Sequence, residues 1–310
     1  MPALVGGFGN YFLPVQVGAP DMANLNFFHT SNKHKSNINY KTLIKNENYK
    51  DHVNISGSYL AGLIEGDGYI TITNNRVILG ITFNLKDLPL ARFLLANLGQ
   101  GSIVKRSGNS VELRFHAKST LLTIINLING EFKTPKIVML HKLIDFCNLK
   151  YSLSIEKKPL NTNNLNSNYW LSGFIDADGG FYIRYSPSSI NCFFYLEQRL
   201  IYPTNDGSYG PLFENIVNYL NAKLGIRKRR HSSYYIIRVE NRLSGLSLIE
   251  YLDKYPLKSS KYLDYMNWKS AFNILNSKRI KTDLDKTNIY NYKNTMNDKR
   301  TEFNWDHLKF

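Results

Sequence analysis

Cysteine is nearly absent from this chain: Cys147 and Cys192 are the two in 310 residues. Two thiols build neither a disulfide framework nor a cysteine zinc cluster, so both read as buried core thiols in a protein suited to a reducing compartment. The histidines, at 29, 34, 52, 116, 141, 231 and 307, show no His-x3-His spacing, which argues against zinc-dependent hydrolysis. No uninterrupted apolar run approaches the roughly 20 residues that span a bilayer. Acids are scarce too, with 24 Asp and Glu against 39 Lys and Arg, a formal charge of +15. That excess, beside 21 Tyr and 17 Phe, suggests a polyanionic partner, nucleic acid ahead of a membrane surface.

Apolar content is ample, at 43% hydrophobic residues, enough for two domains of roughly 100–150 residues. The chain is organised around Leu60-Ala61-Gly62-Leu63-Ile64-Glu65-Gly66-Asp67-Gly68, which recurs as Leu171-Ser172-Gly173-Phe174-Ile175-Asp176-Ala177-Asp178-Gly179. Large apolar residues fall at i, i+3 and i+4 in both copies, the spacing of one helical face. Gly62 and Gly66, and Gly173 and Ala177, stand four apart, so the two helices can pack closely along a seam. Each helix ends on an Asp, facing the negative end of the helix dipole at a cost of roughly 0.3–1 kcal/mol. Packed in parallel, the helices bring Asp67 and Asp178 together, and crowded carboxylates are well stabilised by divalent cations. A single Asp-Gly would be read as a turn or helix cap; the duplication favours the metal site.

This double motif, each copy followed by a β-rich segment, resembles the LAGLIDADG homing endonucleases and intron maturases in their single-chain form, from about Tyr59 to about Ser277. The resemblance implies an α+β fold of two pseudo-symmetric α-ββ-α-ββ-α-α halves, each with a four-stranded antiparallel sheet, the sheets forming a saddle for DNA. It assigns Asp67 and Asp178 as metal-binding catalytic acids, with Gly66 and Ala177 beside them, two or more Mg²⁺ ions as cofactor, and Glu65 and Asp176 as earlier, usually non-catalytic acids. A lysine before the last helix of each half is implied near the scissile phosphate: Lys136 and Lys261 match best, with Lys133 and Lys258 as near alternatives. A polar residue ending the second strand is implied as well; Gln198 fits, whereas Asp87 departs from the pattern and is equally readable as a helix cap.

Read in order, residues 1–23 are apolar and rich in Gly and Pro. They resemble part of cytochrome c oxidase subunit I, which implies an upstream-exon remnant and a mitochondrial (matrix) protein; a signal peptide or loose arm is the alternative. Residues 24–58 read as a basic tether. The first half is expected over 59–149, an Asn-rich linker over 150–168, the second half over 169–277 and a basic tail over 278–310. Alternation places a hairpin through Ile70, Ile72, Val77, Leu79, Ile81 and Phe83, then a helix over 87–98 and a second hairpin turning at Ser107-Gly108-Asn109. There Val111, Leu113 and Phe115 point inward, and Glu112, Arg114 and His116 outward to solvent. Helices are expected at 118–129, 135–148, 169–177, 212–223, 243–254 and 259–276, with strands at 181–186, 191–200, 226–231 and 234–240.

Outward positions Thr71, Thr73, Asn75, Arg76, Arg114, His116, Arg184, Ser186, Arg199, Lys228, Arg230 and Arg238 are the expected DNA contacts. The expected activity is site-specific, Mg²⁺-dependent hydrolysis of double-stranded DNA by a monomer, in the service of intron mobility. The rival is a maturase binding its own group I intron RNA, alone or alongside cleavage, and a silent DNA-binding protein is a third reading.

Overall fold

The structure, a computed structural model, describes residues 55–308 except 74, 187 and 231. The expected exon remnant over 1–23 and the tether through residue 54 lie outside the described residues. The first half opens with α1 (Gly57–Asp67), where the Ser56 side chain accepts the Tyr59 N–H at 3.4 Å. Ile55 is already buried, so the core begins a few residues before the expected boundary at 59. Strands β1 (Gly68–Thr73) and β2 (Arg76–Asn84) follow, turning at Asn75, which adopts φ 60°. A single 3-10 turn (Leu85–Asp87) leads into α2 (Leu88–Leu98), closed by Gly99 at φ 119°, a conformation that favours glycine. Then come β3 (Ser102–Lys105), β4 (Ser110–Phe115), α3 (Lys118–Ile128) and α4 (Ile137–Tyr151).

The second half repeats the order: α5 (Trp170–Asp178), β5 (Gly179–Ser186) and β6 (Ser189–Arg199), a short inserted hairpin β7 (Ile201–Tyr202) and β8 (Gly207–Ser208), then α6 (Gly210–Leu220), β9 (Lys223–Lys228), β10 (Ser233–Val239), α7 (Arg242–Lys254) and α8 (Lys261–Asn276). The sheets run β1-β2-β4-β3 and β5-β6-β10-β9, antiparallel throughout. The α+β class and the two pseudo-symmetric halves are as the repeat predicts. The expected helix over 212–223 ends early: α6 stops at Leu220 because Asn221 turns left-handed at φ 51°, and β9 therefore starts ahead of its expected place.

Alternation decides which face of each sheet is buried. Leu79, Ile81, Leu113 and Phe115 are fully buried under the helices, as are Phe194, Leu196 and Ile237 in the second sheet. On the opposite face one expectation fails: Glu112 is buried at 5% exposure, not solvated. Arg106 and Arg114 bond it at 2.6 and 2.7 Å, and Tyr69 donates its hydroxyl to the same carboxylate. Three donors around one carboxylate cover it, since a buried charge needs such partners. His116 lies just beyond the end of β4.

The tail expected as merely basic is folded onto the second half. Helix α9 (Asp283–Asn294) opens with a Thr282/Asp285 capping box. Asn297 donates to the Phe181 carbonyl at 3.0 Å, and Arg300 bonds Asp264 at 3.1 Å. Among the described residues no helix is long and apolar enough to cross a membrane.

Candidate active site

The site starts from four small residues. Helices α1 and α5 run parallel, and a Cβ added at Gly62 would lie 2.0 Å from the Trp170 carbonyl oxygen, while one at Gly173 would lie 2.1 Å from that of Tyr59. At the far end a Gly66 Cβ would meet the Ala177 Cβ at 2.1 Å. Only glycine permits this approach, and it delivers Asp67 and Asp178 side by side where both helices end.

Both carboxylates keep an opening to solvent but are crowded by protein. Burial lifts Asp67 to about 6, against the pull of Lys261 and Lys136. Asp178 is raised well above the usual carboxylate range, first by burial and then by the Asp67 charge. Gln198 donates to Asp178 at 3.0 Å and accepts the Arg199 N–H at 2.8 Å. Asp87 does something different: it is buried, and its carboxylate accepts the Ser260 N–H of the other half at 2.7 Å. It does not cap α2 with its side chain.

The helix ends are held by lysines. The Lys136 ammonium donates to the carbonyls of Ile64, Gly66 and Gly68 at 3.2, 3.1 and 2.9 Å. Lys261 does the same to Ile175 and Ala177 at 3.3 and 2.6 Å. A cation at a helix C-terminus offsets the dipole that the aspartates oppose. Burial pulls Lys136 down to about 8 and lowers Lys261, while the neighbouring carboxylates resist in both cases. Of the near alternatives, Lys133 instead ties the linker, donating to Asn161 and Asn163. The Lys258 backbone N–H bonds Asp176 at 2.8 Å.

The donor set fits a hard divalent ion: two carboxylates at the mouth of the seam, flanked by the Gly66 and Ala177 carbonyls, whose oxygens keep a second lone pair beyond the lysine bond. No cluster of three or more His, Cys, Asp or Glu suited to a metal occurs among the described residues, so remaining ligands would come from water and a phosphate.

Sheet register sorts the expected DNA contacts. Arg114 pairs with Gly80, opposite in parity to the buried Ile81–Leu113 pair, and Thr71, Thr73 and Arg76 share its face. Asn75 sits in the exposed turn with its carbonyl accepting from Lys150 at 2.7 Å. In the second half Arg184, Arg199 and Arg238 lie on the helix-free face, Arg184 stacked 5.3 Å over Phe193. Ser186 is engaged in closing its hairpin, bonding Ser189 in both directions. Lys228 pairs with Ser233 and so falls on the opposite face from these arginines, while Arg230 is exposed in the turn. Beside Lys228, it is Arg227 and Arg229 that reach the arginine face, clasping Glu197 at 2.6 and 2.8 Å.

Sequence reasoning passed over the earlier acids. Glu65, fully buried, accepts the N–H groups of Lys133 and Thr134 at 2.9 and 2.6 Å and the Trp170 indole at 2.5 Å. Asp176 likewise accepts from Lys258 and from the Ser259 hydroxyl at 2.5 Å, and from the Tyr59 hydroxyl at 2.8 Å. Both acids stand two residues before Asp67 and Asp178 in a repeated motif, and that regularity was the available signal.

Two like lobes, joined at a glycine seam that presents paired acids beneath two open sheets, are the architecture of LAGLIDADG proteins. The chain belongs to that family: the LAGLIDADG endonuclease model matches residues 60–147 and 171–272. Among its relatives, the intron-encoded DNA endonuclease aI3 of Saccharomyces cerevisiae is 31% identical, over 100% of this chain and 81% of its own. The intron-encoded RNA maturase bI4 of the same yeast is 36% identical over 44% of this chain and 21% of its own. The LAGLIDADG homing endonuclease I-SmaMI bound to cleaved DNA shares the fold, at a TM-score of 0.59 and 20% identity, over 81% of this chain and 99% of that one. The same enzyme has been solved on uncleaved target in the presence of calcium ions, with a TM-score of 0.56 and 19% identity over 78% and 99% of the two chains.

Proposed function

We propose that this chain is a homing endonuclease: a magnesium-dependent, monomeric, site-specific hydrolase of double-stranded DNA acting in mitochondria. The carrying observation is the repeated constellation of one aspartate and one lysine on the helix-end carbonyls at each motif end, Asp67 with Lys136 and Asp178 with Lys261. Asp67 and Asp178 would hold the divalent ions, which when bound supply Lewis acidity and a hydroxide source at neutral pH. The lysine ammoniums, fixed on the helix-end carbonyls, would stabilise negative charge growing on the phosphate through space. Gln198 orients Asp178. Arginines on the helix-free faces of both sheets take phosphates and base edges in the major groove, so the seam meets the backbone between the two half-sites. One constellation per strand yields a staggered break.

The test is cleavage of a duplex spanning the intronless oxidase subunit I junction implied by residues 1–23, in Mg²⁺ and in EDTA. Wild type is expected to cut only with metal, and Asp67→Asn and Asp178→Asn to lose double-strand cleavage by at least about 100-fold while retaining binding. The likeness to maturase bI4 favours a second reading, intron RNA binding. Retention of the intron RNA on a filter with no DNA cut in any metal would leave that reading and end the first.

A further inference from the structure

The hydrogen bonds of the earlier acids cross the seam. Trp170, in the second motif helix, donates to Glu65 of the first, and Tyr59, in the first, donates to Asp176 of the second. The two donors are equivalent under the repeat, standing 111 residues apart as do the acids they bind. Both rings are fully buried. Each acid then turns back into its own half. Glu65 holds the Lys133 and Thr134 amides, and Thr134 in turn accepts the Lys136 N–H through its hydroxyl at 3.2 Å. Asp176 holds the Lys258 amide and the Ser259 hydroxyl, whose oxygen accepts the Lys261 N–H at 3.1 Å. A chain of three contacts therefore leads from an aromatic side chain of one half to the active-site lysine of the other.

We propose that Trp170 and Tyr59 are crossed positioning residues: Trp170 sets Lys136 through Glu65, and Tyr59 sets Lys261 through Asp176. A carboxylate shared between two backbone amides and a ring donor keeps its rotamer only while all are present, because each lost bond leaves a buried charge to reorient. The lysine at the end of the chain must stay within a fraction of an ångström of its working position, since misplacement by about 1 Å costs on the order of 100-fold in rate. The arrangement makes each half's site incomplete without the other half's motif helix, beyond the packing that the glycines provide.

The inference rests on the endonuclease reading for its kinetic consequence but not for its structural one, and two measurements separate them. Hydrogen exchange is followed over residues 131–137 and 256–262 in wild type, Trp170→Phe and Tyr59→Phe; the first removes the indole N–H and keeps one aromatic ring, the second removes the hydroxyl alone. Trp170→Phe is expected to speed exchange at Lys133 and Thr134 about tenfold and to leave Lys258 and Ser259 unchanged, with Tyr59→Phe giving the reverse. In parallel the rate of nicking each strand is measured. Trp170→Phe should slow, by about tenfold, the same strand that Lys136→Ala slows, and Tyr59→Phe the strand that Lys261→Ala slows. Acceleration of exchange in the variant's own half, in both halves or in neither would overturn the proposal, as would equal slowing of both strands. Crossed exchange in a protein that cuts no DNA would uphold the positioning and sink the endonuclease reading alone.

Discussion

The two halves agree in the devices that build the seam and differ in what faces the opening of the site. Glycine against carbonyl, lysine on the helix end and earlier acid on the lysine loop occur twice with matching geometry. At the second-strand position the match ends. Gln198 serves its own aspartate, whereas Asp87 turns away to hold Ser260 of the opposite half. The second half also carries aromatic rings on its open sheet, where Phe193 and Tyr195 stack 6.0 Å apart, and a C-terminal tail that the first half lacks among the described residues. Backbone devices are held to symmetry because both helices share one seam. Groups that meet an asymmetric target are free of that restriction.

The symmetric part should break hardest. Gly62→Val and Gly173→Val each force a side chain into a carbonyl and are expected to destabilise by more than about 4 kcal/mol, to similar extents, measured as soluble yield and thermal melting. Unequal loss would show that one side of the seam can yield. Next in size, Lys136→Ala and Lys261→Ala should each slow one strand by about 100-fold in nicking assays, marking the half served. Both changes slowing the same strand would end the assignment of one lysine to each cut.

A pH experiment probes the earlier acids. Burial pushes Glu65 up to about 7 from an ordinary 4.5. Between those values the folded chain binds more protons than the unfolded one, so unfolding free energy falls as pH rises across the window, with the full loss reached above about 7. Glu65→Gln should flatten a slope worth on the order of 3 kcal/mol in metal-free melts; an unchanged slope would show that other buried carboxylates, such as Asp176, carry it. The smallest effects concern the unmatched contacts. Asp87→Ala should cost about 1–3 kcal/mol and loosen the 258–261 loop of the other half, read by hydrogen exchange. His307→Ala, which loses a 3.1 Å contact to the Ser259 carbonyl and a ring stacked 4.3 Å from Tyr262, should cost about 1 kcal/mol.

Much of this was legible in the residues because it is written at short range. The motif helices follow from i, i+3, i+4 spacing, and the hairpins from alternation around Ile70–Phe83. Asp87 could not be placed, since its partner lies 173 residues away. Nor could Lys228, whose face depends on where the turn after β9 sets the register. The choice between Lys133 and Lys136 needed the loop conformation that Glu65 imposes. For α9 the signal was present, in Thr282 and Asp285, but it was hidden by a run of Asn and Lys that reads as a solvated tail.

The contact of Gly62 with Trp170, and of Gly173 with Tyr59, leaves no slack between the lobes. It works as a gauge block. The stagger of a double cut is then a dimension machined into the protein and not a property negotiated with each DNA. Swapping one lobe for that of a relative should therefore change the sequence recognised and leave the overhang length alone, provided that both faces of the block are transplanted together.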